Sequence, residues 1–181
     1  GEVHGSQNLH ETSTTASMIK VWLAADELRR ATEAGRTLDA QELEELSVMI
    51  RDSENDPATR LFDELGEAES IHRMIDHCDL VDSASSWRWS LTEMSAGDAA
   101  RLGACVADGR AAGPEWTDWL LAEMRHVRGI SDFGIRDAFP ASARAQVAIK
   151  NGYFARPEDG LWHLNCLAIT DRWSMAVIQR Y

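Results

Sequence analysis

The chain has 181 residues, 44% of them hydrophobic and 27% charged, enough for one sizeable core. Its formal charge of -12, with arginines dispersed along the chain, disfavours a nucleic-acid surface or an anionic-membrane anchor, because phosphate binding needs clustered Lys and Arg. No apolar run approaches the roughly 20 residues that cross a bilayer.

In chain order, residues 14 to about 34 read as a helix whose first turns, Met18 through Ala25, are apolar on every side except at Lys20; such a helix should be buried. Residues 39 to 51 form a second, amphipathic helix with Leu43, Leu46 and Ile50 on one stripe. Asp56 is expected to cap a third helix that has Pro57 at its first position and Gly66 as its stop, and a fourth follows to about residue 77. Residues 78 to 94 keep no period and read as a long ordered loop, with Trp87 and Trp89 as its anchors. Ser95 with Asp98 makes a capping box for a helix to about residue 109, and Gly113-Pro114 opens another through residue 127. After an irregular stretch come three strand-like runs at 145 to 155, 161 to 170 and 173 to 181, separated by turn residues at 157 to 160 and 170 to 171. Helices first and antiparallel strands last predict an α+β fold, an antiparallel sheet packed against a helical body in one domain over residues 1 to 181.

Cys78, Cys105 and Cys166 contain no C-x-x-C pair and the histidines lack ligand spacing, so no metal or other cofactor is expected. More informative is the count of basic residues: two lysines against sixteen arginines. Arginine stays protonated inside a protein, whereas a desolvated lysine can act as a base. Lys20 closes Ser17-Met18-Ile19-Lys20, a spacing of three that puts hydroxyl and amine on one helix face. A serine needs a base to become a nucleophile, and a lysine among Met18, Val21, Trp22 and Leu23 should have its pKa pulled toward that role. Alone, the tetrapeptide reads as a capping serine and a snorkelling lysine. Two further motifs in order, Ser53-Glu54-Asn55 before a helix and Lys150-Asn151-Gly152 on a strand, change that weighing.

With these three motifs the chain resembles the serine β-lactamase and penicillin-binding-protein superfamily, closest to class A β-lactamases, which carry S-x-x-K, S-D-N and K-T-G. Surrounding text is similar too, in Ser53-Glu54-Asn55-Asp56-Pro57-Ala58-Thr59-Arg60-Leu61 and Val147-Ala148-Ile149-Lys150-Asn151-Gly152-Tyr153. The resemblance implies Ser17 as the acylated nucleophile, Lys20 as its proton acceptor, Ser53 as the relay to the leaving nitrogen and Lys150 as the attractor of a substrate carboxylate. It implies that Asn55 contacts a substrate amide and Lys20, and that Gly152 lets the substrate lie against the strand. Backbone N–H groups of Ser17 and Tyr153 would form the oxyanion hole.

The sequence departs from that pattern at four points. Asn151 replaces a hydroxyl residue that binds the substrate carboxylate, so only its amide is left to substitute. Glu54 replaces an aspartate. No E-x-x-x-N occurs in residues 79 to 94, where Asp82 and Glu93 are the acidic candidates besides Asp79, so deacylation should be slow. The family's sheet has five strands and a C-terminal helix, and residues 1 to 16 are too few to supply two strands. The chain is therefore expected to be part of a longer precursor, lacking N-terminal strands and a C-terminal helix, and able to associate with that segment as a separate chain. The implied setting is extracytoplasmic, in the bacterial cell envelope as a secreted protein or lipoprotein, with any lipid anchor outside this chain. That setting permits a disulfide, and Cys78 with Cys105 is the pair expected, Cys166 being a core residue.

Expected function is that of a serine acyl-enzyme hydrolase acting on D-alanyl peptides from peptidoglycan, or on β-lactam-like small molecules, with slow turnover. Two alternatives stay open: a non-catalytic envelope protein that keeps the fold as a binding or interaction module, and a true class A-like β-lactamase with an unrecognised base.

Overall fold

The computed structural model describes residues 2–181. Strand β1 (Thr12–Thr14) leads into one turn of 3-10 helix (Ala16–Ile19) that continues as α1 (Lys20–Glu33). Val21, Trp22, Leu23, Ala24, Ala25 and Leu28 of α1 have no exposed surface, as a helix apolar on all sides requires. Around it pack α2 (Ala40–Arg51), α3 (Asn55–Glu64), α4 (Ala68–Cys78), α5 (Ala96–Ala107) and α6 (Thr117–Arg125), with a short α7 (Ala141–Arg144) before the sheet. The start of α2 is fixed reciprocally: the Asp39 carboxylate accepts from the N–H groups of Gln41 and Glu42, and the Glu42 carboxylate accepts from Asp39 N–H.

The helix starts differ from the sequence reading at α1, which follows a strand and a 3-10 turn instead of running from residue 14, at α6, which begins at Thr117 and not at Gly113-Pro114, and at α3; at α5 the cap differs. Asn55, not Pro57, is the first helical residue of α3, because the left-handed backbone of Ser53 (φ 63°) turns the chain into the helix two residues early. Pro57 remains in the first turn, where its missing N–H leaves nothing unsatisfied. At α5 only half of the capping box forms. Ser95 Oγ accepts from Asp98 N–H at 3.1 Å, but the buried Asp98 carboxylate turns to the preceding loop and accepts from Val81 N–H, Asp82 N–H and Ser83 Oγ.

That loop holds a 3-10 turn (Trp89–Leu91) and ends in β2 (Glu93–Ser95), which pairs antiparallel with β1, Thr12 opposite Ser95 and Thr14 opposite Glu93. A Cys78–Cys105 disulfide ties the end of α4 to α5, and Cys166 is free and buried. Trp89 is buried, while Trp87 is exposed with the Arg88 guanidinium over its ring, so only one of the two tryptophans anchors the loop.

The main sheet runs β3 (Ala148–Arg156), β4 (Leu161–Ile169), β5 (Ser174–Arg180), antiparallel in that order. Lys150 pairs with Leu167, Gly152 with Asn165 and Cys166 with Val177. Gly103 of α5 permits close contact with the sheet, since a methyl group there would lie 2.9 Å from Leu167 and 2.8 Å from Ser174. Among the described residues β5 carries no partner on its outer edge, and Trp162, Met175, Val177 and Tyr181 are exposed nearby.

Candidate active site

Three elements converge on one cluster of side chains: the turn opening α1, the bend between α2 and α3, and the edge of β3. Ala16, just before Ser17, has φ 47°, a left-handed conformation that costs an alanine energy and persists only where neighbours over-determine it. Gly152 of β3 is one such neighbour. A methyl group at this position would stand 2.5 Å from Ser17 N and from Thr15 O, so only glycine lets the strand edge approach the turn.

One helical turn on, Lys20 is fully buried. Its Nζ donates to Ser53 O at 2.5 Å and to Asn55 Oδ1 at 2.8 Å, lies 3.4 Å from Ser53 Oγ, and sits 4.9 Å from the centroid of the Trp89 ring. From the other side Lys150 Nζ donates to Ser53 Oγ at 2.9 Å. A single hydroxyl thus stands between two amines, with one lysine on a helix and the other on a strand 130 positions away.

Burial dominates the electrostatics. It pulls the Lys20 ammonium down from 10.5 to about 7, against a smaller upward pull from the Glu54 carboxylate. Lys150 is lowered well below its ordinary value, first by burial and then by the neighbouring positive charge of Lys20. A neutral Lys20 amine can accept a proton from a hydroxyl, and Ser53 Oγ can pass one onward.

The structure therefore brings together Lys20, Ser53, Asn55 and Lys150, with the Ser17 backbone against Gly152. Among the described residues no hydrogen bond joins Ser17 Oγ to Lys20 or Ser53; in unliganded sites such contacts are often long and tighten with substrate. The Tyr153 side chain is partly exposed on the strand face opposite Lys150 and Gly152, its ring against Phe133 and Trp162. The Asn151 side chain does not join the group. Strand alternation points it away from Lys150, and its amide donates to Ser131 O at 3.1 Å and Phe133 O at 2.6 Å. Both loop carboxylates are engaged elsewhere: Asp82 with His10 and Ser95, each at 2.8 Å, and Glu93 in the β1–β2 ribbon. Trp89, read from sequence chiefly as a loop anchor, also roofs Lys20, while its Nε1 donates to Thr59 Oγ1.

Solved structures of class A β-lactamases superpose on this chain. The β-lactamase of Chitinophaga pinensis matches with a TM-score of 0.74 at 17% identity, over 94% of this chain and 77% of that one. A representative class A β-lactamase from Bacteroides cellulosilyticus matches with 0.74 at 14% identity, over 96% and 76%. The chain shares the fold of these β-lactamase structures. The β-lactamase of Sphaerobacter thermophilus is similar at a TM-score of 0.66 and 15% identity, over 95% of this chain and 75% of that one. No protein-family model and no curated protein matches the sequence. At such identities the likeness is one of fold alone, and this chain spans about three quarters of each neighbour's length.

Proposed function

We propose that this chain is a serine acyl-enzyme protein of the penicillin-binding or D,D-peptidase type, acting on D-alanyl peptides or β-lactam-like molecules outside the bacterial cytoplasmic membrane. The observation that carries the reading is the Ser53 hydroxyl held between the Lys20 and Lys150 amines, beside a turn that presents Ser17 against Gly152. In the proposed step the neutral Lys20 amine takes the Ser17 proton as Oγ bonds to the substrate carbonyl. When the amide C–N bond breaks, Ser53 hands a proton to the leaving nitrogen and is resupplied by Lys20 through Lys150 or directly. Backbone N–H groups of Ser17 and Tyr153 receive the oxyanion. Because Asp82 and Glu93 are tied up elsewhere, no loop carboxylate activates water, and the acyl-enzyme is long-lived.

A second reading rests on Asn151. Its amide is bound to the carbonyls of Ser131 and Phe133, so the carboxylate-binding group expected on this strand is missing, as suits a fold kept for ligand binding or interaction without chemistry. Incubation with a labelled penicillin followed by intact-mass measurement separates the possibilities. A stable adduct lost in Ser17→Ala supports the acyl-enzyme; no adduct at high concentration supports the non-catalytic module. Hydrolysis without accumulation overturns the proposed slow turnover and indicates a true β-lactamase.

A further inference from the structure

Away from the two amines, a second hydrogen-bonded chain links the sheet to the strand that delivers Ser17. On β4, His163 Nε2 lies 2.8 Å from Asp159 Oδ2, and its Nδ1 lies 2.7 Å from Ser13 Oγ and 3.2 Å from Thr14 Oγ1. A carboxylate only accepts, so Nε2 carries the hydrogen and Nδ1 accepts from the β1 hydroxyls. Asp159 is held ionised by Leu161 N–H and by His163, which lower its pKa. Two residues along β4, Asn165 Nδ2 donates to Thr14 O at 2.8 Å.

Serine, histidine and aspartate in a row resemble a hydrolytic triad. Here, however, Ser13 is 3% and His163 1% exposed, which leaves a substrate no access to the hydroxyl. What the chain does reach is the backbone two residues before the strained Ala16. β1 is three residues long and, among the described residues, pairs with the equally short β2 alone, so its ladder holds it weakly. The side chains of His163 and Asn165 grip two successive residues of it from the sheet, and Thr15 N–H donates to Thr92 O at 2.8 Å on the opposite side. A left-handed alanine survives where its flanks are fixed in this manner.

We infer that Asp159 and His163 are positioning residues that hold Ser13 and Thr14, and through them the Thr15–Ala16–Ser17 turn, in the geometry Ser17 needs for acylation. This rests on the acyl-enzyme reading for its consequence, but not for the grip itself. Asp159 sits on the β3–β4 hairpin turn, so the end of the sheet farthest from the two lysines governs the nucleophile.

The test compares Ser13→Ala, Asp159→Ala and Asp159→Asn with the native chain, measuring hydrogen exchange over residues 12–20 and the rate of penicillin adduct formation. Ser13→Ala removes one hydroxyl and serves if the alanine at 159 does not fold. Expected are exchange faster by about tenfold or more confined to residues 13–18, and acylation slower by about tenfold or more at a temperature where each variant is folded. Asp159→Asn, which keeps an acceptor for Nε2–H, should restore most of both. Unchanged exchange in this segment overturns the inference, and so does an acylation loss that only tracks the fall in melting temperature. If the native chain forms no adduct, the acyl-enzyme reading fails, and the exchange result alone decides the grip.

Discussion

At the residue scale, the fold denies water to both lysines, and that burial sets the protonation chemistry open to them. Lys20 is neutral for about half the molecules near pH 7, so adduct formation should rise about tenfold per pH unit below that point and level off above it. Stop-flow or timed intact-mass measurement checks the profile. The same shift sets a stability signature. Between about pH 7 and 10.5 the unfolded chain binds the Lys20 proton and the folded chain does not, so stability rises with pH across that window, and below it the full penalty of a buried ammonium is present. Lys20→Met should therefore melt higher than the native chain at pH 6, with an advantage that shrinks toward pH 10. A variant without that trend would show the amine to be solvated. Much of this was legible in sequence, since Ser17, Lys20, Ser53, Asn55 and Lys150 stand in recognisable motifs. The His163 contact to Ser13 was not, because a separation of 150 positions leaves no local pattern that marks it.

At the element scale, caps and periods located the helices, while three-residue strands are too short to show alternation, so β1 and β2 went unseen. The Asp98 side chain was assigned to the α5 cap, yet three loop donors and Arg101 outcompete the single Ser95 N–H for it. A buried carboxylate gains more from several donors than from one. Asp98→Ala leaves those N–H groups unpaired and should cost about 1–3 kcal/mol, with proteolytic nicking appearing within residues 79–92. Denaturant melts and limited proteolysis measure the two effects. Nicking elsewhere would show that the loop draws its order from Trp89 and the disulfide.

At the scale of the whole molecule, β5 has no partner on its outer edge among the described residues, and apolar side chains are exposed beside it. A groove of about 660 Å³ runs along residues 176 to 181, lined also by Glu11, Thr12 and Ala96. An unpaired edge beside exposed Trp162, Met175 and Val177 is a template for another strand. The chain on its own should self-associate with rising concentration, and Val177→Glu, which adds charge to an already acidic surface, should shift it toward monomer in sedimentation velocity runs. An unchanged monomer at high concentration would show the net charge of -12 to be protection enough. The α+β order of helices then strands was readable from the sequence, and so were the three strands and the turns between them, though not their register. Which loop covers which strand was not, since it depends on contacts such as Asn151 with Phe133 that join unrelated stretches.

The Cys78–Cys105 bridge closes 27 residues that include the whole of the loop roofing Lys20. A sample in which dithiothreitol has reduced that bridge therefore carries a differently tethered loop over Lys20. Kinetics recorded before and after such treatment belong to two chemical species, and the redox history of a preparation is as much a part of its description as its pH.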